Sequence, residues 1–173
     1  EVHLLCYFDD PQQAREAYGH LYDWLPDIPN NVDYFGEQLL VDGEDEILGE
    51  ESRMLLNSLS ASVEEVAALV EGHGGLVVPA HVESERFGLI TQLGFIPGLF
   101  LGRPVEVSYH LDTPQVLDLY PDLGGYSLMA GSDAHYLRDI GRGRTVYEAG
   151  DFSLAGLLQA GMLERQAARR TDT

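Results

Sequence analysis

The sequence predicts an α/β fold, built from βα units with a mostly parallel sheet. Short apolar segments typical of strands alternate with helical segments along the 173 residues, and such alternation is characteristic of βα units. Several predicted strands end in His, Asp or Glu, which is where α/β folds build their active sites. The length suits one domain, residues 1–173. Within it, we expect residues 1–60 to form a strand, a helix and a hairpin insertion, and residues 61–173 to form βα units that carry the candidate metal ligands discussed below.

The first part of the chain opens on a buried strand. Val2–Phe8 is rich in apolar and aromatic residues and stops at an Asp-Asp-Pro sequence. Gln12–Leu25 places its apolar residues on one helical face, and a proline follows it. Asp42-Gly43 lies between two short apolar runs and indicates a hairpin turn. We expect a further helix over residues 51–59.

The second part predicts a more regular alternation. A helix begins at Ser62, where Ser-Val-Glu-Glu matches a capping box, and runs to Gly72. The remaining predicted elements are strands at 76–81, 104–110, 127–130 and 144–148 and helices at 87–93, 114–119 and 153–169. Polar strand ends in this part are therefore the places to look for a site.

Charge and composition restrict the partners. Ten Arg and no Lys oppose 29 acidic residues, which gives a net charge of -19. Phosphate backbones need clustered positive charge, so we expect no nucleic acid, and an anionic membrane surface would be repelled. A small phosphorylated substrate remains compatible if metal cations reverse the local field. The single Cys6 excludes an internal disulfide framework and fits a reducing compartment, so we expect a cytoplasmic protein.

Two strand ends carry side chains suited to metal ions. Strand 76–81 ends at His81, and strand 127–130 runs into Gly-Ser-Asp133-Ala-His135. On an extended segment Asp133 and His135 share one face, because side chains alternate with a period of two. A carboxylate beside an imidazole suits divalent ions from manganese to zinc. Metal binding is one reading; a loop hydrogen-bonding network at Asp133 and His135, or a hydrogen-bonded strand-end His81, is the other.

Other polar residues have similar alternatives. Glu106, Ser108 and His110 end strand 104–110, and His3 shares a face with Glu1 at the start of the first strand. His3 is either a ligand or an exposed residue where the strand starts. These positions leave the ligand set open.

Six short motifs occur in one order along the chain. They are Glu1–Phe8, Gly74–His81, Gln92–Pro97, Val105–Ser108, Gly131–His135 and Asp139–Gly141. Together they resemble the polymerase and histidinol phosphatase (PHP) family of metal-dependent phosphoesterases. Pro-Ala-His81 and Gly-Ser-Asp-Ala-His135 are the most specific of them.

The resemblance implies a partial distorted TIM-like barrel of PHP type, with its N-terminal strands missing. It implies up to three ions of zinc, manganese or iron, with His81, Asp133 and His135 as metal ligands and catalytic residues and His3 as a further ligand. The family's opening His-x-His motif, Asp-His pair and bridging Glu would lie upstream of residue 1. We therefore expect the C-terminal portion of a longer protein, inactive alone.

The resemblance also implies a function, metal-dependent hydrolysis of phosphate esters within a larger protein. Two alternatives stay open: a non-catalytic PHP-associated scaffold or interaction module without a complete metal site, and a regulatory or proofreading part of a nucleic-acid enzyme. The net charge argues against the second of these. If upstream strands are missing, strand 2–8 has an open edge, and we expect a homodimer through that edge.

Overall fold

The chain folds into short strands and helices that follow one another closely. The computed structural model describes residues 1–166, and it describes side chains for residues 1–160. The strands are β1 (Leu4–Tyr7), β2 (Leu39–Val41), β3 (Ile47–Glu50), β4 (Leu76–Pro79), β5 (Pro104–Glu106), β6 (Ser127–Met129), β7 (Arg144–Glu148) and β8 (Gly161–Gln166). The helices are α1 (Pro11–Asp23), α2 (Val32–Phe35), α3 (Val63–Gly72), α4 (Leu89–Leu93), α5 (Thr113–Leu119) and α6 (Leu154–Gln159). Single 3₁₀ turns cover Gly98–Phe100, Pro121–Gly125 and Leu137–Asp139.

Within residues 1–166 the strands pair into four small sheets of two strands each. β5 and β6 are parallel, whereas β1–β4, β2–β3 and β7–β8 are antiparallel. The α/β class is confirmed, but the prediction of a mostly parallel sheet is wrong, and residues 1–166 form no closed barrel. Alternation along the sequence does not determine strand direction when long connections separate the partners, as they do for β1 and β4.

The antiparallel register of β1 and β4 determines which side chains meet. Leu4 lies opposite Pro79, and Tyr7 lies opposite Leu76. The start of β1 therefore lies beside the end of β4, and the backbone N–H of Ala80 donates to the carbonyl of His3 at 3.1 Å. The only described partner of β1 is β4. The dimer expected through its other edge stays a prediction.

The helix expected over residues 51–59 does not form. Side chains bind its backbone instead: the Gln38 amide donates to the carbonyls of Glu51 and Arg53 at 2.8 and 2.9 Å. The Arg53 guanidinium donates to the carbonyls of Tyr22 and Leu25, at the end of α1. Because these bonds hold the segment in an extended course, the apolar residues that predicted a helix become part of a loop.

Strand 76–81 ends at Pro79, two residues earlier than predicted, and two further elements end earlier still. Strand 104–110 stops at Glu106, and beyond it the N–H of Ser108 donates to the Glu83 carboxylate at 2.6 Å rather than to a strand. The last helix, expected over 153–169, stops at Gln159, and the chain then forms β8 against β7. Glycine at 161 disfavours a helix interior. Residues 167–169 of that prediction lie outside the described part of the chain.

The core divides into two clusters that hold the ends of the strands. One joins α3 to β4 and contains Val66, Ala67, Val70, Val77, Leu89 and Phe100. The other surrounds β5 and β6 and contains Val82, Val105, Val107, Val116, Leu123 and Leu128. The predicted capping box is confirmed, because Ser62 and Glu65 exchange both bonds at the start of α3. Within residues 1–166, the helices are too short or too polar to cross a membrane.

Candidate functional site

A cleft of about 1120 Å³ opens beside the start of β1 and the ends of β4 and β6. Its polar end is lined by Glu1, His3, His81, Glu106 and the segment Gly131–Asp133. Its remaining walls are mostly apolar and include residues of α1 and α3 and of the loop before α3. We call the polar end the histidine cleft. It brings together three of the four ligands predicted from the sequence, namely His3, His81 and Asp133.

The rings of His3, just before β1, and His81, just after β4, meet edge to face, with 66° between their planes. Nε2 of His81 lies 3.3 Å from Nδ1 of His3, and the ring centroids are 5.2 Å apart. Phe87 stacks on the other side of His3 at 4.5 Å between centroids. Burial, followed by the neighbouring His81, lowers the pKa of His3, against the raising effect of the Glu1 and Asp133 carboxylates. His3 is thus disposed to be neutral, the form in which imidazole binds metal ions.

The backbone at the cleft adopts unusual conformations. His81 has a φ of 30°, Asp133 of 44° and Phe87 of 62°, and Asp45 in the hairpin is the other described non-glycine residue with positive φ. Positive φ in residues other than glycine is uncommon and tends to occur at functional sites, held by surrounding structure. Three of the four such residues therefore lie at or against the histidine cleft.

The turn at Asp133 separates it from His135. The alternation expected for an extended segment fails there, because the left-handed conformation of Asp133 redirects the chain. The exposed His135 ring interacts through Nδ1 with the carbonyl oxygen of Asp133 at 2.9 Å, and His135 is not among the residues that line the cleft. The role of His135 as a metal ligand stays a prediction. His110, at the predicted end of strand 104–110, is also exposed and outside the lining.

Glu106 is the residue that the ligand set from the sequence omitted. Its side chain is buried and accepts a hydrogen bond from the backbone N–H of His81. The pKa of Glu106 is raised to about 7 by burial first, then by the negative charges of Asp133 and Glu83, against the lowering effect of the bond from His81. The sequence contains a sign of this role, because Glu106 lies between Val105 and Val107, both of which are buried in the structure.

Gly131 provides the space that Glu106 occupies. A Cβ on Gly131 would lie 2.5 Å from Oε2 of Glu106, so any larger residue would displace the carboxylate. Glu106 therefore links the two strand ends that carry His81 and Asp133. Its position suits a role in holding the His81 backbone.

The donor set fits part of a metal site. Two imidazole nitrogens bound to one tetrahedral zinc ion are separated by about 3.3–3.4 Å, given Zn–N bonds of about 2.05 Å, and the His3–His81 separation is 3.3 Å. Nδ1 of His81 is buried without a hydrogen-bond partner. If Nε2 bound a metal ion, the proton of this ring would be on Nδ1, and that N–H group would need a hydrogen-bond acceptor. Among the side chains described, no three of His, Cys, Asp and Glu lie close enough to hold an ion. The two histidines can thus supply two ligands. Further ligands would have to come from movement of nearby side chains or from residues outside the described part of the chain.

We expect Glu106→Gln to stabilise the metal-free protein at alkaline pH. The folded-state pKa of about 7 is above the ordinary value of 4.5, so this group's contribution to stability is complete below pH 4.5 and is lost as the pH rises through 7. Gln remains neutral and should raise the free energy of unfolding by about 1–2 kcal/mol at pH 8, less than the full shift because its amide is a weaker acceptor. At pH 5 the gain should nearly vanish.

Thermal unfolding at pH 5, 6, 7 and 8 in the presence of a chelator measures this difference. Glu37→Gln, which removes an exposed carboxylate, is the control and should show little change at any pH. A difference for Glu106→Gln that does not grow with pH would contradict the raised pKa.

Comparison with known proteins supports a PHP-related class. Residues 125–160, which include β6, the Gly-Ser-Asp-Ala-His segment and β7, match the family model described as PHP-associated. This match confirms, for that segment, the resemblance recognised in the sequence. No curated protein matches the chain.

The fold is similar to that of one particular solved protein. This is the novel lesion-specific endonuclease PfuEndoQ from Pyrococcus furiosus, with a TM-score of 0.64 and 17% sequence identity. The match covers 95% of this chain and 38% of the endonuclease chain. At this identity the likeness concerns the fold, and the present chain corresponds to well under half of that structure.

The expectation about partners is overturned by this finding. A small phosphorylated substrate and no nucleic acid were expected from the net charge of -19, yet the fold is shared with an endonuclease. Net charge sums over the whole surface, whereas a phosphate backbone responds to charges within roughly 10 Å at ordinary ionic strength. The local charge of a cluster of arginines therefore affects nucleic-acid binding more than the net charge of the chain does.

Proposed function

We propose that this chain is part of a metal-dependent phosphoesterase that hydrolyses phosphodiester bonds in nucleic acid. The observation that carries the proposal is the convergence of His3, His81, Asp133 and Glu106 on one cleft, with the two imidazole nitrogens 3.3 Å apart. The PHP-associated match and the endonuclease fold support the reaction class. We further propose that the small sheets belong to a PHP-type barrel in a longer cytoplasmic protein.

In the proposed reaction, residues of the histidine cleft have two roles, metal binding and support of the metal ligands. His3 and His81 would hold a divalent ion, zinc, manganese or iron. Asp133 would become a further ligand by moving toward the two histidines, because in this structure the three do not lie close enough to hold an ion together. When bound, such ions neutralise charge on the phosphate and activate water for attack. Glu106 would hold the His81 backbone in its left-handed conformation through the N–H that it accepts. The apolar walls would exclude bulk water around the phosphate, which strengthens the electrostatic interactions inside the cleft.

A second candidate is a binding module without catalysis. It is favoured by one observation, the absence of a third ligand close to His3 and His81 among the described side chains. In that case the cleft would bind metal weakly or not at all, and hydrolysis would not be detected from this chain.

Hydrolysis of bis(p-nitrophenyl) phosphate separates the two candidates. With added Mn²⁺ we expect a longer protein that contains this chain to release p-nitrophenolate. A chelator should stop this release, and Asp133→Asn should lower it at least tenfold, because one negative ligand is lost. Asp118→Asn, which changes an exposed aspartate of α5, is the matched control and should leave the rate unchanged. If neither this chain nor a longer protein that contains it shows metal-dependent hydrolysis, the phosphoesterase proposal is wrong and the non-catalytic binding module is supported.

A further inference from the structure

The segment that follows the histidine cleft concentrates the chain's positive charge. Residues 136–144, which we call the arginine loop, contain three of the ten Arg and one acidic residue, Asp139, so the local charge is 3 − 1 = +2 in a chain of net charge -19. Arg138 and Arg142 keep 74% and 49% of their side-chain surface exposed. The loop is thus a cationic surface on an otherwise acidic molecule.

Two arginines outside the loop, Arg53 and Arg103, contact other parts of the fold. Arg53 donates to two backbone carbonyls at the end of α1 and lies 3.5 Å from Asp27. Arg103 pairs with Glu71 of α3. Within the loop, Arg142 pairs with Asp139 at 3.0 Å, and Arg138 lies 3.9 Å from the same carboxylate. The Arg138 guanidinium also lies over the Tyr136 ring, 4.8 Å from its centroid. These contacts order the loop while leaving its outer face open.

The loop is attached directly to the cleft. A Cβ on Gly143 would overlap the carbonyl oxygen of Gly131 and the Cβ of Tyr109, so at this point the loop lies against the segment that ends in Asp133. Gly131 and Asp133 line the histidine cleft. The cationic surface is therefore held beside the residues to which we assign phosphodiester chemistry.

The loop also exposes apolar and aromatic surface. Tyr136, Leu137 and Ile140 are 64%, 88% and 67% exposed. An aromatic ring next to guanidinium groups is the combination that binds single-stranded nucleic acid, with bases stacking on the ring and phosphates pairing with arginine. An acidic protein segment would also be attracted by the charge, but it would not use an exposed ring as a stacking platform.

We infer that the arginine loop binds the nucleic-acid substrate, with Arg138 and Arg142 on its phosphates and Tyr136 stacked on an unpaired base. This inference rests on the proposed function and specifies the substrate surface of the same site. The bound nucleic-acid strand would run from the arginine loop toward Asp133, and one of its phosphodiester groups would then lie at the histidine cleft.

Fluorescence anisotropy with a labelled single-stranded DNA oligonucleotide, in a chelator so that no hydrolysis occurs, tests the inference. Arg138→Gln should weaken binding severalfold and lower the slope of log Kd against log salt by about 0.7, the value for one phosphate contact on a single strand. Tyr136→Ala should weaken binding about tenfold through lost stacking. Arg15→Gln, which removes an exposed arginine of α1, is the matched control and should leave both quantities unchanged.

Three outcomes would overturn the inference: no binding by the parent chain, equal weakening by Arg15→Gln, or displacement of the oligonucleotide by polyglutamate as readily as by unlabelled DNA. The last would indicate an acidic protein partner. Binding that depends on the loop without hydrolysis of the aryl phosphodiester would count against the proposed function alone. Hydrolysis of the aryl phosphodiester without loop-dependent binding would count against the inference alone.

Discussion

Replacing His81 with alanine is expected to weaken zinc or manganese binding by about a hundredfold or more. Loss of a group that only orients a metal ligand costs about 10–100-fold in affinity, and His81 would bind the ion directly. Its Nε2 faces Nδ1 of His3 at 3.3 Å, and its buried backbone is held by Glu106. Removal of the imidazole would leave His3 as a single nitrogen ligand in the cleft.

Isothermal titration with Zn²⁺ measures the change, and circular dichroism verifies that the variant is folded. His110→Ala is the matched control, because this histidine is exposed and lies outside the cleft lining. Equal affinities for the parent and His81→Ala would contradict the assignment, as would a parent that binds no metal. Titration of His135→Ala tests the ligand role predicted from the sequence, which its exposed position in this structure leaves open.

Replacing Gly143 with alanine is expected to destabilise the protein by about 3 kcal/mol or more and to displace the arginine loop. The added methyl group would overlap the Gly131 carbonyl and the Tyr109 Cβ. Overpacking usually costs about 1–3 kcal/mol, and here one of the overlapping atoms is backbone that no rotamer change can move. At this chain length each kcal/mol lowers the Tm by about 2–4 °C, so we expect a fall of roughly 6–12 °C.

Thermal unfolding of Gly143→Ala measures this effect, with Gly150→Ala as its control. A Cβ at Gly150 would meet no atom within 4 Å, so this control should change the Tm little. A Gly143→Ala variant as stable as the parent would show that the loop does not depend on close contact with Gly131.

Local patterns in the sequence predicted the local elements well. The Asp-Asp-Pro start and the proline after residue 25 bounded α1, the Asp42-Gly43 turn placed the hairpin, and Ser62 with Glu65 began α3. These features depend on neighbouring residues, whose chemistry the sequence displays directly. The motif ending in His81 likewise placed a strand and a cleft residue at the correct position.

Features that depend on distant partners could not be predicted in the same manner. The direction of β1 against β4 is set by packing between segments about 70 residues apart, and residues 51–59 are held extended by Gln38 and by bonds to the end of α1. The place of Glu106 in the site depends on the space left by Gly131. A period of two implied that Asp133 and His135 share a face, but a single left-handed residue breaks that rule.

The antiparallel pairing of β1 with β4 has a consequence for the order of folding. Leu4 and Pro79 are 75 positions apart in the sequence, so closing this contact requires a large loss of chain entropy before His3 can reach His81. Contacts of such separation form slowly compared with the helices and the hairpin. Metal-binding competence should therefore arise late in folding, and hydrogen exchange in β1 should report directly on whether the cleft is assembled.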